Sequence, residues 1–336
     1  MSIEKFKEVI ETGYTVSGKY ITLGGAMYEG KAIANLFVNI PLKNLNRHGL
    51  IAGATGTGKT KTLQALTENL SKEGVPTLLM DLKGDLSGIA AIGEEKSFIK
   101  ERHSQINLPY TPEAFPVELL TISKQDGVRM RATVSEFGSV LLSRILDLSD
   151  VQEGVLAVVF KYCDDHQYPL LDLKDLKKVL QYATEEGKSE FEAEYGRVAS
   201  SSTSAILRKI VELENQGAEL FFGERSFETE DLLRTDEKGR GVVNIIRLTD
   251  IQDRPKMFST FMLCLLAEIY NTFPEIGDQD KPKLVIFIDE AHLIFNQASK
   301  ALLNQLENIV KLIRSKGVGL IFCTQTPTDV PDSVLS

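Results

Sequence analysis

Eight consecutive residues, Gly53-Ala54-Thr55-Gly56-Thr57-Gly58-Lys59-Thr60, carry the most specific chemical signal in the chain. Their spacing is G-x-x-x-x-G-K-[ST], the pattern of a loop that wraps a polyphosphate. Gly53, Gly56 and Gly58 turn the backbone tightly and let its N–H groups approach phosphate oxygens with no Cβ in the way. Ala54, Thr55 and Thr57 lie between them and add further backbone donors. Lys59 is the ammonium that would reach the β- and γ-phosphates, and the Thr60 hydroxyl is a Mg²⁺ ligand. Lys61 begins the element behind the loop and completes the expected nucleotide site.

The second signal is the apolar run Leu284-Val285-Ile286-Phe287-Ile288, which ends in Asp289-Glu290-Ala291-His292. A continuous apolar run reads as a strand buried on both faces of a parallel sheet. Asp289 is then placed to hold the Mg²⁺ shell. Glu290, one residue on, is placed to deprotonate a water attacking the γ-phosphate. A carboxylate beside the metal aspartate favours hydrolysis over phosphate transfer to an acceptor hydroxyl, so a small-molecule kinase is the weaker reading. No Asn-Lys-x-Asp guanine reader occurs, which makes ATP the expected nucleotide.

Three further polar residues stand near strand ends. Gln325 follows the apolar run Val318-Gly319-Leu320-Ile321-Phe322-Cys323 and could sense the γ-phosphate or hold the attacking water. Arg314, just before that run, has two readings: a finger reaching a neighbouring subunit's nucleotide, or a surface arginine favoured by the helix dipole. Asp81 ends the run Thr77-Leu78-Leu79-Met80 and is either a second-sphere metal residue or the cap of the following turn. Lys83, Lys124 and Arg129 are candidates for pore loops; no basic and aromatic stretch marks a strand-binding groove.

These residues need a scaffold. Gly49-Leu50-Ile51-Ala52 reads as a buried strand before the loop, and Leu63, Leu66 and Leu70 mark one face of a helix after it. Strand character recurs at residues 116–122 and 241–248. Helical spacing covers residues 255–273 and 304–315; Pro274 ends the first, and residues 277–282 form a loop. The fold class is α/β, a mostly parallel sheet flanked by helices. Residues 1–48 read as a short β-rich lead-in, with Tyr14-Thr15-Val16, Tyr20-Ile21-Thr22-Leu23 and residues 34–40 strand-like. Residues 49–132 form the first part of the core, 133–222 a helical insertion with a helix start at Ser201-Ser202-Thr203-Ser204, and 223–336 the second part.

Composition sets outer limits. The 336 residues are 43% hydrophobic and 25% charged, as in globular domains. No apolar run approaches the roughly 18 residues of a membrane helix, and the first residues lack a signal-peptide core. Cys163, Cys264 and Cys323 sit in apolar contexts and read as core residues, which fits a reducing cytoplasm. The net charge of −9 is unlike that of a protein coating nucleic acid with its outer surface. Nucleic acid would have to be met by a local patch or a pore built on assembly; a nucleotide switch that remodels protein, not DNA, is the alternative.

Together the loop at 53–60, the strand ending in Asp289-Glu290-Ala291-His292, and Thr324-Gln325 with Pro327 resemble the HerA–FtsK group of P-loop motor ATPases. Within it the sequence is most similar to bacterial HerA-like YjgR-type ATPases. Residues 47–53, Asp81-Leu82-Lys83-Gly84-Asp85, Phe222-Gly223-Glu224 and Gly239-Arg240-Gly241 also match that pattern. The resemblance runs from about residue 20 to the end. It implies a RecA-like core, a homo-oligomeric ring, usually of six, and ATP hydrolysis coupled to pulling DNA. By position it assigns Lys59 and Thr60 to phosphate and Mg²⁺, Asp289 to the metal, Glu290 to the base, Gln325 to the strand-end glutamine and Arg314 to the finger. Chains of the group continue past the position of Ser336 and carry a fuller N-terminal barrel, so the sequence is expected to be a piece of a longer protein.

Overall fold

The computed structural model describes residues 1–277, 279–295 and 300–335. Asp278, in the loop read at 277–282, lies outside the described residues. The chain begins with a helix, α1 (Ile3–Tyr14), where the sequence reading placed only strands. Tyr14-Thr15-Val16 is therefore the end of a helix and its exit, not a strand. Ser2 caps α1 by accepting the Lys5 N–H at 3.3 Å, and Phe6 packs on Tyr28 at 5.2 Å between ring centroids. Strands β1 (Tyr20–Tyr28) and β2 (Lys31–Pro41) pair antiparallel as a separate two-stranded sheet, neither extending the main sheet nor closing a barrel.

The main sheet uses seven strands: β3 (Gly49–Ala52), β4 (Thr77–Asp81), β5 (Val117–Thr121), β6 (Val128–Arg129), β7 (Val243–Arg247), β8 (Leu284–Ile288) and β9 (Val318–Thr324). Their order is β3-β9-β8-β4-β7-β5-β6, and every neighbouring pair is parallel. Residues alternate between two apolar layers, as the period of two in a strand requires. Leu78, Met80, Ile286, Ile288, Leu320 and Phe322 face one layer; Leu79, Val285, Phe287 and Ile321 face the other.

The second layer is built on α2 (Lys59–Lys72), whose Leu63, Leu66 and Leu70 are buried. At about 2 kcal/mol per buried leucine, these three seat the helix with roughly 6 kcal/mol of apolar burial. Also on this side runs α3 (Ser97–Ile106), which packs against β2 and was not read from the sequence. The first layer holds the long helical stretch α4 (Val134–Ile145), α5 (Asp150–Asp165), α6 (Leu173–Tyr182), α7 (Lys188–Glu194) and α8 (Ser200–Asn215). Its ends are tied together: the Ala132 N–H donates to Phe221 O at 3.2 Å, and the Gly223 N–H to Ala132 O at 3.1 Å. The layer also holds α9 (Pro255–Thr272), α10 (His292–Phe295), α11 (Lys300–Ile313) and α12 (Asp332–Leu335). Its apolar core is continuous from the insertion to α11. Cys163, Cys264 and Cys323 are all buried free thiols. Among the described residues no helix is long and apolar enough to cross a membrane.

Candidate functional site

Strand β9 lies between β3 and β8, so the segments leaving these three strands meet at one edge of the sheet. All are carboxyl ends, where ligands bind open parallel sheets. The glycine-rich loop leaves β3, Asp289-Glu290 leaves β8, and Gln325 leaves β9. The Gly53 N–H donates to the Thr324 carbonyl at 3.2 Å, which ties the loop's first residue to the end of β9.

The loop has the conformation its glycines permit. Gly56 and Gly58 have φ of 81° and 100°, and open space lies where a Cβ would stand on either. Gly58 is the N-cap of α2 and offers no side-chain cap. The first N–H groups of that helix are therefore left to an anion, at the end where the helix dipole is positive. The Lys59 ammonium folds back on the loop and donates to the Gly53 and Ala54 carbonyls at 2.6 and 3.2 Å. Thr57 Oγ1 donates to Ala54 O at 2.8 Å. Behind the loop, Lys61 Nζ donates to Gln64 Oε1, and Gln64 Nε2 to Asp85 O at 3.1 Å, linking α2 to the segment after β4.

Asp289 and Glu290 are both buried, at 5% and 7% exposure. Burial pushes the Asp289 carboxyl above its usual range, with the Lys83 ammonium opposing that effect. Asp289 Oδ1 accepts the Glu290 N–H at 3.0 Å. Glu290 takes left-handed backbone, φ 50°, uncommon for a residue with a Cβ. Its neighbours hold it there: the Ala291 N–H donates to Cys323 O at 3.0 Å, and the Leu293 N–H to Glu290 O at 2.9 Å. Glu290 Oε1 forms an ion pair with Lys83. Glu290 Oε2 is buried and makes no hydrogen bond, with His292 Nδ1 3.3 Å away.

Asp81 makes the contacts of a turn cap. Its Oδ1 accepts the Gly84 N–H at 2.7 Å and Oδ2 the Leu86 N–H at 3.4 Å, so both oxygens serve the turn. Burial raises its carboxyl, and these donors oppose the rise.

The structure brings the residues 53–61, Asp289, Glu290 and Gln325 to one edge, with Gln325 exposed just beyond Thr324. Arg314 is not among them. It stands exposed in the short helical turn Arg314–Lys316 before β9, at the amino-terminal edge of the sheet. At about 3.3 Å per residue, the seven residues of β9 put roughly 20 Å between it and the loop. The missed member is Lys83, read from sequence only as a pore-loop candidate; its pairing with Glu290 has no local signal. Among the described residues, no group of three His, Cys, Asp or Glu side chains forms a ready metal cluster. A divalent ion would rest on Thr60, Asp289 and phosphate oxygens, a hard oxygen set suited to Mg²⁺.

Comparison with known proteins follows the same lines. The family model for the helicase HerA-like C-terminal region matches residues 29–336. The DNA import protein CedB of Sulfolobus acidocaldarius is 24% identical over 319 residues, covering 94% of this chain and 46% of CedB. The DNA double-strand break repair helicase HerA of Sulfurisphaera tokodaii is 25% identical over 321 residues, covering 93% of this chain and 58% of that protein. The chain thus spans about half the length of these curated relatives. Among solved structures, the plasmid coupling protein TrwB in complex with the ATP analogue ADPNP superposes with a TM-score of 0.59 at 17% identity, over 100% of this chain and 73% of TrwB. That likeness shows the fold, a mostly parallel sheet flanked by helices.

Proposed function

This chain belongs to the helicase HerA-like C-terminal family, and from that premise we propose that it is a Mg²⁺-dependent ATP-hydrolysing motor domain acting on DNA. The observation that carries the reading is the convergence of the loop after β3 with Asp289 and Glu290 after β8, on either side of β9. Residues 53–61 bind the phosphates, Lys59 exchanging its loop carbonyls for β- and γ-phosphate oxygens. Thr60 and Asp289 hold Mg²⁺; the raised carboxyl of buried Asp289 marks a charge that a cation would relieve. When bound, Mg²⁺ neutralises charge on the phosphates. Glu290 accepts the proton of the attacking water at its carboxylate, and Gln325 orients that water.

Arg314 lies too far from the loop of its own subunit to serve it, which favours a role in trans at a neighbour's nucleotide. A ring of copies, six by resemblance, gives it that neighbour, and a cytoplasmic setting suits the three free thiols. The tied ends at Ala132 and Phe222 support treating residues 133–222 as an insertion into a core made of 49–132 and 223–336. Phosphate release from ATP, with and without duplex or single-stranded DNA, tests the reading. Several-fold stimulation by DNA is expected. Turnover indifferent to DNA would favour a protein-remodelling ATPase, the reading that the net charge of −9 leaves open.

A further inference from the structure

The segment after β4 bears directly on Glu290. Lys83 occupies Oε1 through its ion pair, and Oε2 is buried without a hydrogen-bond partner. In this arrangement Oε2 is shut away from solvent and Oε1 is engaged by the ammonium. Lys83 is itself held on a fixed loop. Asp81 caps that loop through Gly84 and Leu86, and Gln252 Nε2 donates to the Leu82 carbonyl from the segment after β7. That segment is tied in turn to the one after β5, since Gln125 Nε2 donates to Thr249 Oγ1 at 2.6 Å and Asp250 Oδ1 at 2.8 Å. Loops from three strand ends therefore form one polar network that terminates on Glu290. The Lys83 side chain is 46% exposed and that of Glu290 9%. Of the two, the lysine is the one an arriving anion can reach.

We propose that Lys83 is a latch on Glu290, released when a phosphate takes its ammonium. The proposal rests on the assignment of Glu290 as the base. Exchanging one charge-assisted hydrogen bond for another leaves the lysine satisfied throughout, so the exchange needs little net energy. The released carboxylate is then buried with only His292 Nδ1 beside it, 3.3 Å from Oε2, which drives Oε1 toward the water it must deprotonate. Lys83 acts through Glu290 and is a positioning residue. Two sources offer the phosphate: the γ-phosphate of the nucleotide and the backbone of a nucleic-acid strand. Both present the same oxyanion to the same ammonium.

The test uses the full chain, with phosphate release, fluorescence anisotropy of labelled duplex DNA, and titration of a non-hydrolysable ATP analogue. At saturating ATP, Lys83→Gln should raise DNA-free turnover several-fold if the strand is the source and leave it unraised if the nucleotide is, and Lys83→Arg should match the wild type in either case. If the strand is the source, Lys83→Gln weakens DNA binding, lowers its salt slope by about one and removes DNA stimulation. Glu290→Gln then tightens DNA binding in the wild-type background and not in the Lys83→Gln background. If the nucleotide is the source, the same pair dependence appears in the analogue titration and the DNA arm is flat. A basal rate unchanged or lowered by Lys83→Gln, with Glu290→Gln shifting binding equally in both backgrounds, overturns the latch and leaves the ATPase reading intact. No phosphate release from either the wild-type chain or Lys83→Gln overturns that reading and the latch with it.

Discussion

The Gly53 N–H donates to the Thr324 carbonyl at 3.2 Å, which ties the residue that opens the phosphate loop to the residue before Gln325. The parallel register of β3 on β9, Ala52 opposite Thr324, sets that contact. The Gln325 backbone is thereby set beside the loop, and its exposed side chain makes no hydrogen bond among the described residues. Gln325→Ala should lower turnover about 10²- to 10³-fold, the range for removing one positioned hydrogen-bonding group. On the proposed role of orienting the water, nucleotide affinity should stay within about twofold. Steady-state phosphate release beside equilibrium binding separates the two.

Asp81 is 2% exposed and caps the loop that carries Lys83. Asp81→Ala leaves the Gly84 and buried Leu86 N–H groups without their acceptor, at a cost of about 1–3 kcal/mol. Urea unfolding should show the loss. An unchanged midpoint would mean that water replaces the carboxylate there.

His48 gives the fold a pH dependence. Its Nε2 donates to Val310 O at 2.7 Å, joining the entry of β3 to α11, while Nδ1 is buried without a partner. Burial holds the imidazole below its usual 6.5, Arg314 pushes the same way, and the Val310 carbonyl opposes both. The unfolded chain therefore binds the proton more readily. Stability from neutral His48 is full above about pH 6.5 and is lost as pH falls through the lower folded value. Denaturant midpoints between pH 7.5 and 5.5 should fall in the wild type and fall less in His48→Gln. Equal slopes would contradict the assignment.

Arg314 stands at the opposite edge of the sheet from its own loop. Arg314→Ala should leave nucleotide binding intact and reduce turnover by about 10³-fold, the scale of an arginine supplied in trans. Mixing Arg314→Ala with Lys59→Ala should recover part of the activity, because each variant supplies what the other lacks. Full activity of Arg314→Ala alone would make it a surface arginine.

The parts legible in the sequence were those with local, contiguous signals. The glycine spacing at 53–58 and the apolar run into Asp289-Glu290 each name a structure by themselves. The helices from 133 to 222 showed their three-and-four spacing for the same reason. The helix α1 was hidden because Gly13 reads as a breaker, yet it falls inside the last turn of a helix already capped by Ser2. The two-residue strand β6 is too short for any period to register. Lys83 and Glu290 are far apart in the chain, and only the strand order that seats β4 beside β8 brings them together. Asp81 left two readings open because a strand-end aspartate looks the same in sequence whether it faces a ligand or its own turn.

The central claim is that Glu290 turns bound ATP into hydrolysed ATP while the loop does the binding. The direct measurement is phosphate release from ATP and Mg²⁺ by the wild-type chain, Glu290→Gln and Lys59→Ala, with nucleotide affinity measured on each. The account predicts that Glu290→Gln binds ATP at least as well as the wild type and releases phosphate about 10²–10⁴-fold more slowly, the worth of a positioned base, while Lys59→Ala loses tight binding. Wild-type turnover in Glu290→Gln would contradict it.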